Sequence, residues 1–394
     1  MIVEPIWRSL LTESERAELR PGVPSPLPMR PDVLIVGGGL VGLSIACFLA
    51  EQQAGRILVV EQGDLACGAS GANGGGIFPG PMRADFPAEF RKIGMASRDI
   101  FDEWSEQDWA DFHWRRNGAL AIATDEFPCP LAEHSAHERE LGRRAEYLSG
   151  RQLHELEPAL AADVEEAVYY PDDGQLNPLR LALCLNRRLR QLGVVIATSL
   201  RVERLKAHSG RIVQADTSDG TIHPGTVVLT AGWAARQLAE PLGVPLPLQP
   251  AKGHILATGP LNWQMQTNVL GSQLFRQLPS GELITGGTIE FIGESYEPTE
   301  NITDNISEVA VRLIPALKDE PFVRVWTGLR PHTPDEMPMI DRLRGLENAF
   351  LAAGHFTKGV LLAPITGRLM AEWITTGRPS IDIRFLSLDR FAQV

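Results

Sequence analysis

The residues at the start of this chain that are best able to do chemistry are glycines with an acid downstream. Gly37-Gly38-Gly39-Leu40-Val41-Gly42 follows the apolar run Val33-Leu34-Ile35-Val36, and residues 43–50 continue with a helical pattern. A second apolar run, residues 57–60, ends on Glu61, with Gln62 next. Strand, glycine turn, helix, strand and acid, in that order, form a βαβ unit suited to a dinucleotide. Gly37 permits the tight turn, Gly39 lets the backbone approach a pyrophosphate, and Gly42 lets helix and strand pack closely. The helix start offers N–H groups and a partial positive charge to phosphate. Glu61 places a carboxylate where the two ribose hydroxyls of an adenosine would lie. It would repel a 2′-phosphate, which disfavours NADP.

A second stretch, Gly68-Ala69-Ser70-Gly71-Ala72-Asn73-Gly74-Gly75-Gly76, is made almost wholly of small residues. A flat ligand can lie close to such a backbone. Residues 226–230 form another apolar run, which meets Ala231-Gly232-Trp233 and again suggests close approach to a ligand. Asp172 and Asp173 read as turn chemistry rather than a metal site. His254 and His355 read as packing or hydrogen-bonding histidines, since a suitable pKa alone does not make a catalyst.

These residues must be positioned by a large scaffold. The chain has 394 residues, enough for two domains, and a net charge of −12 that argues against a nucleic-acid footprint. Four scattered cysteines suggest neither a disulfide frame nor a zinc site. No signal-peptide pattern or membrane-length apolar run is visible, so a cytoplasmic location and no membrane span are expected. Helices are predicted over 85–110, 133–160, 179–192, 300–317 and 360–376. Strands are predicted over 112–115, 118–123, 194–196, 201–205, 211–213, 253–257, 273–277, 282–289, 322–329 and 350–353, with a loop over 330–335. Residues 5–19 suggest a short helix and 21–28 a proline-rich tether. Either Trp7 docks on the protein's own surface or this extension is an arm for a partner subunit.

Several separated segments carry a family likeness. They are the glycine motif with Glu61, Ala69-Ser70-Gly71-Ala72, and residues 227–232. Gly328-Leu329-Arg330-Pro331-His332-Thr333-Pro334-Asp335 and Gly354-His355-Phe356-Thr357-Lys358-Gly359-Val360-Leu361-Leu362-Ala363-Pro364 complete the set. Together, over residues 31–394, they resemble the D-amino-acid-oxidase superfamily of FAD-dependent oxidoreductases, nearest its glycine oxidase and sarcosine oxidase branch. The resemblance implies an α/β fold. A Rossmann-like FAD domain of the glutathione-reductase type would come from 31–80, 165–245 and 326–394. An interleaved α+β substrate domain, built on a mixed and mostly antiparallel sheet, would come from 81–164 and 246–325. Residues 1–30 stand outside as an N-terminal extension.

The same resemblance implies roles. Gly37, Gly38, Gly39, Leu40, Val41 and Gly42 would take the FAD pyrophosphate, and Glu61 and Gln62 the adenosine. Ala69, Ser70, Asn73, Gly74 and Gly75 would run along pyrophosphate and flavin, Val202 would lend backbone to adenine, and Gly232 would close over the cofactor. Gly354, Thr357, Lys358, Gly359 and Val360 would present N–H groups to the flavin edge, where reduction leaves negative charge. The implied reaction passes a hydride from the carbon bearing the amine of a small amino acid or secondary amine (glycine, sarcosine or D-amino-acid type) to flavin N5. The resulting imine hydrolyses, and oxygen or another acceptor takes the electrons. Arg330 matches the arginine that clamps the substrate carboxylate. Arg276 and Lys358 are further cations that could reach the pocket. Thr357-Lys358 stands where glycine oxidases usually carry Arg-Asn, and Leu274 where they tend to keep a tyrosine. No cysteine stands at Gly328-Leu329, so the FAD is expected to be non-covalent. A 2-hydroxy-acid dehydrogenase and a flavin subunit of an electron-transfer complex are the alternative readings. Homo-oligomerisation, or a partner held through residues 1–30, is left open.

Overall fold

A computed structural model describes residues 1–80, 86–123 and 130–391. Cys129 lies outside the described residues. Two large sheets organise the molecule. The first has six strands in the order Met339–Arg342, Ala349–Ala353, Thr226–Leu229, Val33–Val36, Ile57–Val60, Val195–Ala197. All its pairings are parallel except that of Met339–Arg342 with Ala349–Ala353. Val33–Val36 and Ile57–Val60 are buried throughout, because helices cover one face and further strands the other. That is why they read as unbroken apolar runs.

Helices Leu40–Glu51, Pro178–Gln191 and Gly359–Thr376 share one apolar core with Ala88–Ser105. Gly367 lets the last helix lie against the first, since a Cβ there would come within 2.7 Å of the Ser44 backbone. The opposite face carries the meander Val202–His208, Arg211–Thr217, Gly220–Ile222.

The second sheet has nine strands in the order Ile2–Val3, Phe322–His332, Gln249–Pro260, Glu282–Gly286, Leu274–Gln277, Asn268–Leu270, Ala119–Ile122, Glu166–Tyr170, Glu146–Ser149. Its pairings are antiparallel except at Ile2–Val3 and between Asn268–Leu270 and Ala119–Ile122. Helix Glu300–Leu313 covers one face, with Ile306 packed against Leu256 and Val325.

Several expectations are corrected. Phe322–His332 pairs with its neighbour as far as Gln249 opposite His332, so Arg330, Pro331 and His332 lie in the sheet rather than in a loop. Glu166–Tyr170 and Phe322–His332 both belong to the nine-stranded sheet. The helix expected over 133–160 is Leu131–Glu140, a strand Glu146–Ser149 and helix Arg151–Leu156, with Gly142 and Gly150 at positive φ between them. Residues 112–115 make only the isolated bridge of Arg115 with Gln175.

The N-terminal extension is two short helices, Ile6–Ser9 and Glu13–Glu18, strapped to its own chain. Trp7 is 1% exposed, and its Nε1 donates to the Asn73 carbonyl at 2.8 Å. Asp64 takes both Arg8 and Arg20, and Leu65 N–H donates to the Leu19 carbonyl. Of the two readings of this segment, docking on the protein's own surface is the one the geometry takes.

Candidate functional site

A cleft of about 1120 Å³ runs between the two sheets. At one end stand Gly37, Gly39, Val41, Glu61, Gln62 and Val202; at the other, Arg330, Phe356 and Thr357. Local chemistry shapes the first end. Gly37 has φ +119°, and a Cβ there would sit 2.6 Å from the Thr230 carbonyl oxygen. A Cβ on Gly42 would sit 2.1 Å from the Gly37 carbonyl oxygen, so the turn folds back onto its helix only because both positions lack side chains. Helix Leu40–Glu51 starts at Gly39 with no side-chain cap and no acid in its first turn, and Leu40 N–H meets Ser70 Oγ at 3.0 Å. A helix start left open this way suits an anion.

Glu61 is held ready beside it. Its Oε2 accepts from Gly38 N–H at 2.7 Å and its Oε1 from Gly63 N–H at 2.9 Å. The Cys67 thiol lies 3.6 Å from Oε1, and desolvation of the sulfur together with that carboxylate pushes it up to about 12. Along the cleft floor, Asn73 Oδ1 accepts from Gly75 N–H at 2.6 Å, and Ala69, Ser70, Gly74 and Gly75 line the wall. Gly232, Gly359 and Val360 also border the cleft. Helix Gly359–Thr376 again begins without a side-chain cap or first-turn acid. Gly354 and Lys358 lie behind this border, Gly354 beneath the Thr333 methyl.

At the far end Arg330 points into the cleft from Phe322–His332. Its Nη1 donates to the Thr288 carbonyl at 2.8 Å, and a Cβ on Gly253 would overlap its guanidinium. No ion pair joins it to an acid among the described residues. Burial lowers it to about 10, so it stays charged at neutral pH. Ile255, Leu274 and Ile284 supply apolar walls nearby.

The other two candidate cations point elsewhere. Arg276 shares a strand face with Leu274, but its Nη1 turns to the Gly74 carbonyl and its Nη2 to Leu176, 3.2 Å away. It is 2% exposed and packs over Trp7 behind the cleft wall, which corrects a substrate role for it. The half-buried Lys358 does not border the cleft either. Burial lowers it to about 8 against the opposing pull of Asp173, itself pushed up by burial to about 7.

The strand expected over 282–289 ends at Gly286, and segment 290–299 was missed by the reading of the sequence, although Glu294 and Tyr296 line the cleft. Ile289, Phe291, Ile292 and Tyr296 are exposed apolar side chains outside any regular element, and that cluster was the available signal.

Uncapped helix starts facing a long cleft, with a carboxylate at one end, are the features of a dinucleotide-binding protein. The chain belongs to the family of FAD-dependent oxidoreductases described as DAO, whose model matches residues 32–373. It is thus an FAD-dependent enzyme. It is 30% identical over 369 residues to the bifunctional protein ThiO/ThiG of Synechocystis sp., covering 91% of this chain and 54% of that protein. The chain spans about half the length of such bifunctional relatives. It is 29% identical over 371 residues to the glycine oxidase of Geobacillus kaustophilus, covering 92% of this chain and 97% of that one. The crystal structure of glycine oxidase from that organism superimposes with a TM-score of 0.84, at 27% identity, over 91% of this chain and 98% of that one. The L-proline dehydrogenase of P. horikoshii shares the fold, with a TM-score of 0.86 at 23% identity over 93% and 99% of the two chains.

Proposed function

We propose that the protein oxidises the C–N bond of a small amino acid or N-substituted amino acid whose carboxylate sits on Arg330. The observation that carries the reading is a half-buried guanidinium at the end of the cleft opposite Glu61, with no acid partner among the described residues. An uncompensated buried cation is costly, and an incoming carboxylate relieves that cost. The guanidinium fork offers a carboxylate two parallel hydrogen bonds, which fixes the neighbouring carbon.

FAD, when bound, supplies a two-electron acceptor. The chain's own residues bind it, orient the substrate and exclude water. Glu61 and the start of Leu40–Glu51 would hold the adenosine and pyrophosphate. The uncapped start of Gly359–Thr376 would offset negative charge at the far end of the cofactor. An amine entering neutral needs no dedicated base, and among the described residues His355 is the one histidine that borders the cleft. That ring is held by Thr366 Oγ at 3.1 Å, and burial lowers it to about 4. The C–N bond becomes a C=N bond with loss of two electrons and two protons, one from the carbon and one from the nitrogen. Water then gives the carbonyl acid and the freed amine, and oxygen or another oxidant takes the electrons.

The apolar walls Ile255, Leu274 and Ile284 suit a substrate with more carbon than glycine. The test is anaerobic mixing of holoenzyme with amino acids, N-alkyl amino acids and 2-hydroxy acids while flavin absorbance is followed. Bleaching by an amino acid supports the reading. Bleaching by 2-hydroxy acids alone, or by amines without a carboxylate alone, overturns it.

A further inference from the structure

Four consecutive carbonyls of the cleft wall are held by groups that lie behind it. Trp326 Nε1 donates to the Ala72 carbonyl at 2.9 Å and Trp7 Nε1 to that of Asn73 at 2.8 Å. Arg276 Nη1 donates to the Gly74 carbonyl, and the Leu176 N–H to that of Gly75 at 2.9 Å. None of these four donor residues borders the cleft, whereas residues 72–76 all do. In a planar trans peptide the carbonyl and the following N–H point opposite ways. The two peptides held by indoles therefore turn the Asn73 and Gly74 N–H groups toward the cleft, and neither has an acceptor among the described residues. Both peptides stand at the substrate end. A Cβ on Gly74 would meet the Leu274 and Ile255 side chains at 2.6 and 3.9 Å, and one on Gly328, two residues before Arg330, would meet the Ala72 Cβ at 2.7 Å.

We propose that Trp7 is a positioning residue of the cofactor site. Through it the N-terminal extension backs the wall 72–75 and aims the Asn73 and Gly74 N–H groups at the flavin half of FAD, whose ring carbonyls and N5 accept hydrogen bonds. Trp7 lies outside residues 32–373 matched by the family model, so this chain adds the support from its own extension. The extension is anchored without the Trp7 bond. Glu18 pairs with Arg187, the Glu18 carbonyl accepts from Asn186 Nδ2 at 2.9 Å, and Ile6, Leu11 and Leu19 are buried in the core. The Arg276 guanidinium lies over the Trp7 ring at 5.2 Å, so the groups holding Asn73 and Gly74 brace each other.

Trp7→Phe keeps an aromatic ring in place and removes the Nε1 donor. The full-length chain, stripped of flavin, is titrated with FAD and separately with ADP, which spans only the adenosine and pyrophosphate end. Trp7→Phe should weaken FAD binding about three- to tenfold, the range for one lost hydrogen bond, and leave ADP binding unchanged. Trp326→Phe, which frees the neighbouring carbonyl, should give the same split. Trp114→Phe removes an indole bond of equal length, 2.8 Å to Asp102, away from the cleft, and should change neither affinity. A general loss of stability would weaken both ligands alike. Unchanged FAD affinity in Trp7→Phe, equal weakening of FAD and ADP, or the same FAD loss in Trp114→Phe would overturn the proposal. Cofactor binding reads this whichever substrate the enzyme oxidises.

Discussion

Replacing Arg330 by alanine should weaken acidic substrates strongly while leaving the FAD site intact. The guanidinium is half-buried, holds one carbonyl and has no acid partner among the described residues, so its charge is free for a ligand. Truncating one partner of such a buried pair costs about 2–5 kcal/mol, or roughly thirty- to several-thousand-fold. The loss should fall on flavin reduction at low substrate, followed anaerobically by stopped flow. Arg330→Lys should restore only part of it, because an ammonium cannot make the paired fork. Equal loss with a matching amine that has no carboxylate, or loss of FAD, would refute the reasoning.

Acid precipitation should release the flavin into the supernatant, because no cysteine stands at Gly328-Leu329; flavin staying in the pellet would contradict that. Gly42→Ala should cost about 1–3 kcal/mol of overpacking against the Gly37 carbonyl and lower FAD affinity, read by flavin fluorescence. Gly259→Ala, with nothing within 4 Å of its Cβ, should behave as the parent. Burial lowers both His254 and His355 from 6.5 to about 4, so the unfolded chain binds more protons between those values. Their stabilising effect is complete above pH 6.5 and is lost as pH falls toward 4, by about 3 kcal/mol for each. Urea midpoints should drop across that window, and His355→Gln should remove about half of the slope.

The cofactor end was legible because its information is local. Gly37, Gly42 and Glu61 sit within one βαβ unit, where turn geometry and strand ends follow from spacing. The substrate end depends on register. Arg276 and Leu274 share a face, yet one lines the cleft and the other turns behind it, a choice made by the Gly74 and Leu176 carbonyls rather than by alternation. The strand to His332 was read as ending at 329 because Pro331 and Pro334 suggest a loop. Pro331 is tolerated because it pairs opposite Pro250. Lys358 and Asp173 influence each other across a long stretch of sequence, and no local pattern announces that.

Arg330 shows how the sheet rather than the motif fixes a functional side chain. Gly253, on the neighbouring strand, leaves the space its guanidinium fills. The carbonyl it holds, that of Thr288, lies just after Gly286 and Gly287, both at positive φ, where the strand Glu282–Gly286 ends. His254 then pins the turn. Its backbone N–H donates to Thr288 Oγ at 3.0 Å, and its Nε2 accepts from Thr299 N–H at 2.9 Å. With Nε2 an acceptor, the proton of the neutral ring sits on Nδ1, facing Thr288 Oγ at 3.3 Å and Glu290 at 2.9 Å. A histidine that accepts on one nitrogen and donates on the other cannot ionise without losing the first bond. His254 is therefore suited to holding the chain that aims Arg330, and unsuited to moving protons for the reaction.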